Sequence, residues 1–448
     1  MMKLYFVSLG CDKNLVDAEH MLSLLSADGY EITEDEAEAD VIVVNSCCFI
    51  SDAAEESVNT IIDLARYKTE GHLKALIVTG CLSQRFTEEM KVEIPEVDGI
   101  IGTSSYDEIT AVLRRVLKGE KQVTAVSNLA RIPEDKGRIV TTGGHYAYLK
   151  IAEGCDKNCS YCIIPKIRGP YRSIPMERIL DEAKKLVADG VRELILVAQE
   201  TTIYGSDLYG KKSLPLLLKK LGELKGLAWI RILYAYPEEI DDELIEEIAT
   251  NPKVCHYIDM PIQHANDYIL GRMGRRTNQQ DIIHVVKKLR ERIPDMCIRT
   301  TLICGFPGET EQMHQEQISF MKEMEFDRLG SFPFSPEDGT VAFEMPDQVP
   351  DVTKNIWYDE IMRVQQEITF RKNESLVGKE FEVFIEGEIP KDRVYVGRTY
   401  RDAPGVDGLV FMDRDIQRMS GDLVRVKITK THEYDLIGEI IDENESTE

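Results

Sequence analysis

The stretch EGCDKNCSYCIIP, residues 153–165, carries Cys155, Cys159 and Cys162 in the spacing C-x3-C-x2-C. Iron–sulfur clusters are held by cysteine thiolates, usually four. Three thiolates leave one iron with an exchangeable position, as catalytic metals keep a site open for a substrate. A structural zinc site closed by a distant fourth ligand is the competing reading of the spacing.

A second triplet takes another form. Cys11 follows KLYFVSLG, Cys47 follows DVIVVNS and Cys81 follows ALIVTG, at separations of 36 and 34 residues. Continuous apolar runs at that spacing read as parallel strands buried on both faces. Three thiols then stand just past the carboxyl ends of three strands, where α/β proteins place ligands. This register points to a second cluster, again with one iron open; three coincidental buried cysteines are the alternative. Cys48 adjoins Cys47, and neighbours on extended backbone face opposite sides. Register with Cys11 and Cys81 favours Cys47. Cys255, Cys297 and Cys304 lie in or beside apolar strands and read as core.

The elements that must position these thiols follow from patterning. The chain has 448 residues, 43% of them hydrophobic, enough for roughly three domains. Residues 1–118 alternate strands and amphipathic helices, as in a doubly wound α/β domain. Residues 119–143 are polar and irregular and read as a linker. From residue 144 the alternation resumes with AYLKIA, ELILVA, WIRILY, VCHYIDM, IRTTLI and FDRLGSF. Six such units predict a partial (β/α)6 barrel, with active residues at the carboxyl ends of its strands. A long helix over 351–373 closes this part at residue 373. Residues 376–442 show short alternating strands between turn signals, the pattern of a small β-barrel. The fold class is therefore α/β overall, and the C-x3-C-x2-C loop falls just after the first barrel strand.

Composition narrows the partners. No apolar run approaches the ~20 residues of a membrane span, and MMKLYFVSLGC lacks the marks of a secretory signal. A cytoplasmic protein with no membrane partner is expected. Ten cysteines in such a compartment point to metal, catalysis or core packing rather than disulfides. The net charge is −25, and residues 376–448 hold 10 Lys or Arg against 17 Asp or Glu. That balance opposes a strong grip on phosphate backbones and favours a basic protein partner.

With Tyr161 just before the third cysteine, the C-x3-C-x2-C stretch resembles the radical S-adenosylmethionine superfamily. The resemblance implies an open iron that chelates the amino and carboxylate groups of S-adenosylmethionine, whose reductive cleavage gives a 5′-deoxyadenosyl radical. The cofactor carries that chemistry, and the protein supplies position, electrostatics and exclusion of water. Together with the N-terminal triplet and the three-part order, the whole chain resembles the methylthiotransferases, whose C-terminal β-barrel is called TRAM. That family implies two [4Fe-4S] clusters and two S-adenosylmethionine molecules per turnover. It also implies an electron donor of the flavodoxin or ferredoxin kind. One class of the family modifies adenosine in transfer RNA; the other modifies the β-carbon of an aspartate in small-subunit ribosomal protein number 12. The stretches YLKIAEGC, AQETTIYGSDL, PIQHANDYIL and APGVDGLVF resemble the second class, so nucleic acid is not expected as the direct substrate. The acidic C-terminal part agrees, since an RNA-gripping module should be basic.

The same resemblance implies further site residues. Gly305, Gly308 and Glu309 in GFPGET follow a barrel strand and are expected to form part of the S-adenosylmethionine pocket; an ordinary Gly-Pro turn is the alternative. Gln199 and Glu200, ending the second barrel strand, are candidates for the methionine end of the cofactor. Arg168 in IRGPYRS is expected to orient a carboxylate by bidentate pairing. The family usually continues with Ser-Arg where this chain has Ser173 and Ile174, so no role is carried over to that second arginine. His264 in PIQHAN reads equally as a site residue or a hydrogen-bonded loop histidine. No catalytic acid or base is identifiable.

Overall fold

Runs of Val, Ile and Leu that never alternate with polar residues must be covered on both faces, and two of them are completely buried: Val41–Ser46 and Ala75–Gly80. The computed structural model describes residues 1–134, 137–414 and 417–441. The acidic end DENESTE, with the last residue of the expected small barrel, lies outside the described residues, as do 135–136 and 415–416. The chain divides into two compact units. The first comprises residues Met1–Thr141, Lys150–Ile174 and Ser335–Phe343; the second comprises Thr142–Leu149, Pro175–Phe334 and Glu344–Glu448.

In the first unit six strands form one sheet: β1 (Lys3–Ser8), β2 (Glu31–Ile32), β3 (Val41–Ser46), β4 (Ala75–Gly80), β5 (Gly99–Ile101) and β6 (Val123–Ala125). Their order is β2-β1-β3-β4-β5-β6, and every pair is parallel. Ser8 lies opposite Asn45, and Ser46 opposite Gly80. Three adjacent strands therefore end almost level, which sets Cys11, Cys47 and Cys81 side by side. Two apolar layers cover the sheet, one built around Ile42, Val44, Leu76 and Val78, the other around Leu4, Val43, Ile77 and Leu113. Three short strands, β2, β5 and β6, have no sequence period to betray them. β6 falls within residues 119–143, read from sequence as irregular, because pairing with β5 decides its conformation.

The loop bearing Cys155, Cys159 and Cys162 also belongs to this first unit. It is bounded by a small antiparallel ladder of β8 (Ala152–Glu153) with β9 (Arg172–Ser173). The expected single strand AYLKIA is thus interrupted after β7 (Tyr146–Lys150).

The second unit holds the other sheet, in the order β14-β13-β12-β11-β10-β7, with β10 (Glu193–Val197), β11 (Trp229–Ile232), β12 (Val254–Asp259), β13 (Cys297–Cys304) and β14 (Arg328–Pro333). Sequential order across an open parallel sheet is the partial barrel that the six units predict. A helix over Asp351–Glu374 follows. The chain then closes a small barrel, β15 (Glu380–Ile389), β16 (Val394–Thr399), β17 (Val410–Asp413), β18 (Leu423–His432) and β19 (Asp435–Ile440), in the order β15-β16-β17-β19-β18. Phe384 and Ala403 of this barrel region pack with Ile195, Val197, Trp229 and Tyr257 of the sheet. Among the described residues no helix is long and apolar enough to cross a membrane.

Candidate functional site

The N-terminal triplet is shaped by glycines placed just before two of its thiols. Gly10 has φ +93°, and a Cβ there would lie 2.8 Å from Cys47 Cβ and 3.0 Å from its Sγ. Gly80 has φ +94°, and a Cβ there would run into the Ser46 carbonyl oxygen. Only glycine takes these backbone angles without strain, so the strand ends can converge. Cys11 stands at the N-cap position of the 16-residue helix Asp12–Ala27. The Cys47 backbone is fastened by Ser57, whose Oγ accepts from Cys47 N and donates to Cys47 O, both at 2.9 Å. Asn14 ties the turn together: its Nδ2 donates to Leu9 O and Ser46 O at 3.0 Å. Its Oδ1 lies 3.6 Å from Cys81 Sγ.

Cys47 and Cys48 differ as their adjacency demands. Cys47 faces Gly10. Cys48 is fully buried among Ile42, Val44, Ile61 and Leu82. Burial raises the Cys47, Cys48 and Cys81 thiols, Cys81 to about 12, and Arg168 works against the rise at Cys47 and Cys81. None of the ten cysteines is in a disulfide.

Around the C-x3-C-x2-C triplet, Cys155 N donates to Gly169 O at 3.1 Å and Cys162 N to Cys159 O at 3.0 Å. Cys155 and Cys159 are buried and Cys162 is half-buried. The loop runs into the short helix Ile164–Arg168, which is held against the sheet: Thr103 Oγ1 donates to Ile167 O at 2.9 Å, and Ile163 and Ile167 join one apolar layer.

Arg168 finds carboxylate partners within the chain. Read from sequence, it orients a cofactor carboxylate. In the structure its carboxylates are the chain's own: Nη1 donates to Asp17 Oδ2 at 2.8 Å and to Glu153 Oε2 at 2.9 Å. Nη2 donates to Asn14 Oδ1 and lies 3.6 Å from Cys81 Sγ. Lys150 completes the cluster by donating to Asp17 and, at 3.0 Å, to Glu153 Oε2. Burial opposes the charge on both cations, but Asp17 and Glu153 outweigh it, and Cys81 adds to the effect at Arg168. In turn Arg168 and Lys150 hold Glu153 well below the usual carboxylate range against its burial. Two cations and two carboxylates thus balance in a site where each side chain is at most 6% exposed. Sequence reasoning missed Asn14, Asp17, Glu153 and Lys150. The usable signal was Asn14 and Asp17 at three and six residues after Cys11, on one helix face.

In the second unit, Gln199 and Glu200 follow β10, while Gly305, Gly308 and Glu309 follow β13, all beyond strand carboxyl ends of one sheet. Glu309 folds back on its own turn: Oε2 accepts from Gly305 N at 2.6 Å and Phe306 N at 3.0 Å. His264, fully buried, has Nε2 3.2 Å from Glu309 Oε1 and accepts at Nδ1 from Asn266 N at 2.9 Å. At Gly305 the Lys354 side chain occupies the space where a Cβ would stand.

The donor chemistry of both triplets fits thiolate-bound iron. Among the described residues, no three His, Cys, Asp or Glu side chains close on a single ion. A cube of four irons does not ask for that, since each thiolate takes a different corner.

Comparison with known proteins agrees with this architecture. Residues 3–102 match uncharacterized protein family UPF0004, residues 149–321 the radical SAM superfamily and residues 377–441 the TRAM domain. The chain is 56% identical over 438 residues to the ribosomal protein uS12 methylthiotransferase RimO of Lachnoclostridium phytofermentans, covering 98% of this chain and 99% of that one. It is 49% identical over 440 residues to the protein of the same name from Pelotomaculum thermopropionicum, at 98% and 99% coverage, and 47% identical over 442 residues to that of Clostridioides difficile, again at 98% and 99%. Among solved structures it resembles the radical S-adenosylmethionine methyltransferase TsrM of Kitasatospora setae with cobalamin and a [4Fe-4S] cluster bound. That match has a TM-score of 0.55 at 15% identity and covers 76% of this chain and 77% of that one; it speaks to fold alone.

Proposed function

The chain belongs to the ribosomal protein uS12 methylthiotransferase family, and from that premise we propose that it adds a methylthio group to the β-carbon of an aspartate in that ribosomal protein. The observation that carries this reading is full-length identity of 56% to a uS12 methylthiotransferase, in a chain that gathers two thiol triplets into one compact unit.

Cys155, Cys159 and Cys162 would hold one [4Fe-4S] cluster and Cys11, Cys47 and Cys81 the other. When bound, the first cluster with S-adenosylmethionine supplies hydrogen-abstracting radical chemistry, and the second offers an open iron to sulfur. The protein's own contribution is placement. Gly10 and Gly80 let strand ends converge, Asn14 and Ser57 fasten the turns, and the Ile164–Arg168 helix anchors the loop. Gln199, Glu200 and the Gly305–Gly308–Glu309 turn would bind S-adenosylmethionine, with Glu309 holding that turn in shape through Gly305 N and Phe306 N. A small electron carrier such as a flavodoxin or ferredoxin would reduce the clusters, in the cytoplasm.

Mass spectrometry of ribosomal proteins from cells with and without this chain tests the reading. A gain of about 46 Da, SCH3 replacing H, is expected on one aspartate of uS12. If uS12 is unchanged while transfer RNA gains methylthioadenosine, the transfer-RNA alternative holds instead.

A further inference from the structure

One residue touches the surroundings of both thiol triplets. Arg168 lies six positions after Cys162 in the chain, yet its guanidinium is 3.6 Å from Cys81 Sγ of the other set. The next residue, Gly169, accepts from the backbone N of Cys155 at 3.1 Å. Its other nitrogen, Nη1, grips Glu153, two residues before Cys155, and Asp17, six residues after Cys11. The end of one short helix is therefore bonded to the lead-in of the Cys155 triplet and to the turns of the N-terminal one.

We propose that Arg168 belongs to the N-terminal cluster site: it is a positioning residue that ties the Cys81 turn to the segment entering the Cys155 loop, and its charge faces the Cys11–Cys47–Cys81 triplet. This rests on the two-cluster reading above.

Two physical needs support it. Cys47 and Cys81 are buried, and a buried thiolate is tolerated only when it is hydrogen-bonded. Lys150 already donates to Asp17 and Glu153; Arg168 is the cation that reaches the sulfur. The second need is geometric. A planar guanidinium donates in several fixed directions at once, here to two carboxylates, an amide oxygen and a thiol, which a lysine ammonium on a flexible stem does not reproduce.

The test isolates the N-terminal cluster in the full-length chain. The parent variant C155A/C159A/C162A, reconstituted anaerobically with iron and sulfide, should hold about four irons. R168M in that background should lose at least half of the parent's iron, or keep it with an altered electron paramagnetic resonance spectrum. R168K, which keeps the charge and loses the fork, should retain iron with a shifted spectrum. If R168M does not fold, judged by gel filtration, R168K decides alone. Iron content and spectrum that match the parent's in each soluble variant overturn the proposal and leave the two-cluster reading standing. A parent that binds no iron overturns that reading, and the proposal falls with it.

Discussion

At the scale of single residues, position depends on atoms that sequence types only hint at. Gly10 is the sharpest case, since its positive φ and the 2.8 Å approach to Cys47 exclude a side chain. G10A should cost about 1–3 kcal/mol in urea unfolding and lower iron after reconstitution by about half, the share of one of two four-iron clusters. The adjacent thiols separate in the same way. C47A should lose that half of the iron. C48A should keep it and lose only about 1 kcal/mol, as a core substitution, because its side chain packs among Ile42, Val44 and Ile61. Equal iron loss in both variants would sink this assignment. The cysteine triplets were legible as spacings, and Arg168 as a candidate but not as to its place. Its partners come from residues 14, 17, 81 and 153, which no local pattern links.

At the scale of elements, the second unit shows how the small C-terminal barrel is fixed to its sheet. Glu193 on β10 accepts from Arg231 Nε on β11 at 2.8 Å and from Arg398 Nη2 on β16 at 2.7 Å, with all three side chains at most 1% exposed. Arg328 Nη2 donates to Asp402 Oδ1 at 2.6 Å, and Arg401 Nη2 to Asp327 Oδ1 at 2.8 Å. Breaking a buried pair by removing one partner typically costs about 3–5 kcal/mol, and E193Q should do so in urea unfolding at neutral pH. Burial pushes the Glu193 carboxyl up, but Arg398 and Arg231 outweigh it and bring it from 4.5 down to about 2. A depressed carboxyl stabilises fully above its unfolded value, and that contribution fades as pH falls from 4.5 towards 2. E193Q should therefore lose stability less steeply than the parent through that acid window; parallel pH curves would refute the assignment. Strand existence here was readable from apolar runs, but the pairing of Glu193 with Arg398 spans 205 residues.

At the scale of the whole molecule, charge sets the kind of partner. The net charge is −25. Arg398 and Arg401 of the C-terminal barrel are engaged internally and nearly buried, so they are not available to a phosphate backbone. Association with a basic ribosomal protein should then weaken with salt, because screening shortens to about 3 Å at 1 M. KM for uS12 should rise several-fold between ~0.05 and ~0.5 M salt, and added transfer RNA should not compete. A salt-independent KM, or competition by RNA, would overturn this view.

By itself the sequence determined the α/β class and the order of its parts, because strands buried on both faces leave local signatures, and its cysteine spacing singled out six thiols as candidate ligands. It also carried the family, through motifs that lie within single loops. Tertiary structure alone decided that the C-x3-C-x2-C loop packs with the N-terminal sheet, that short strands such as β6 exist, and that Arg168 lies 3.6 Å from Cys81 Sγ. These are long-range facts: a guanidinium takes its partners from whatever folding brings within about 3 Å, and nothing in the local pattern around residue 168 encodes which residues those are.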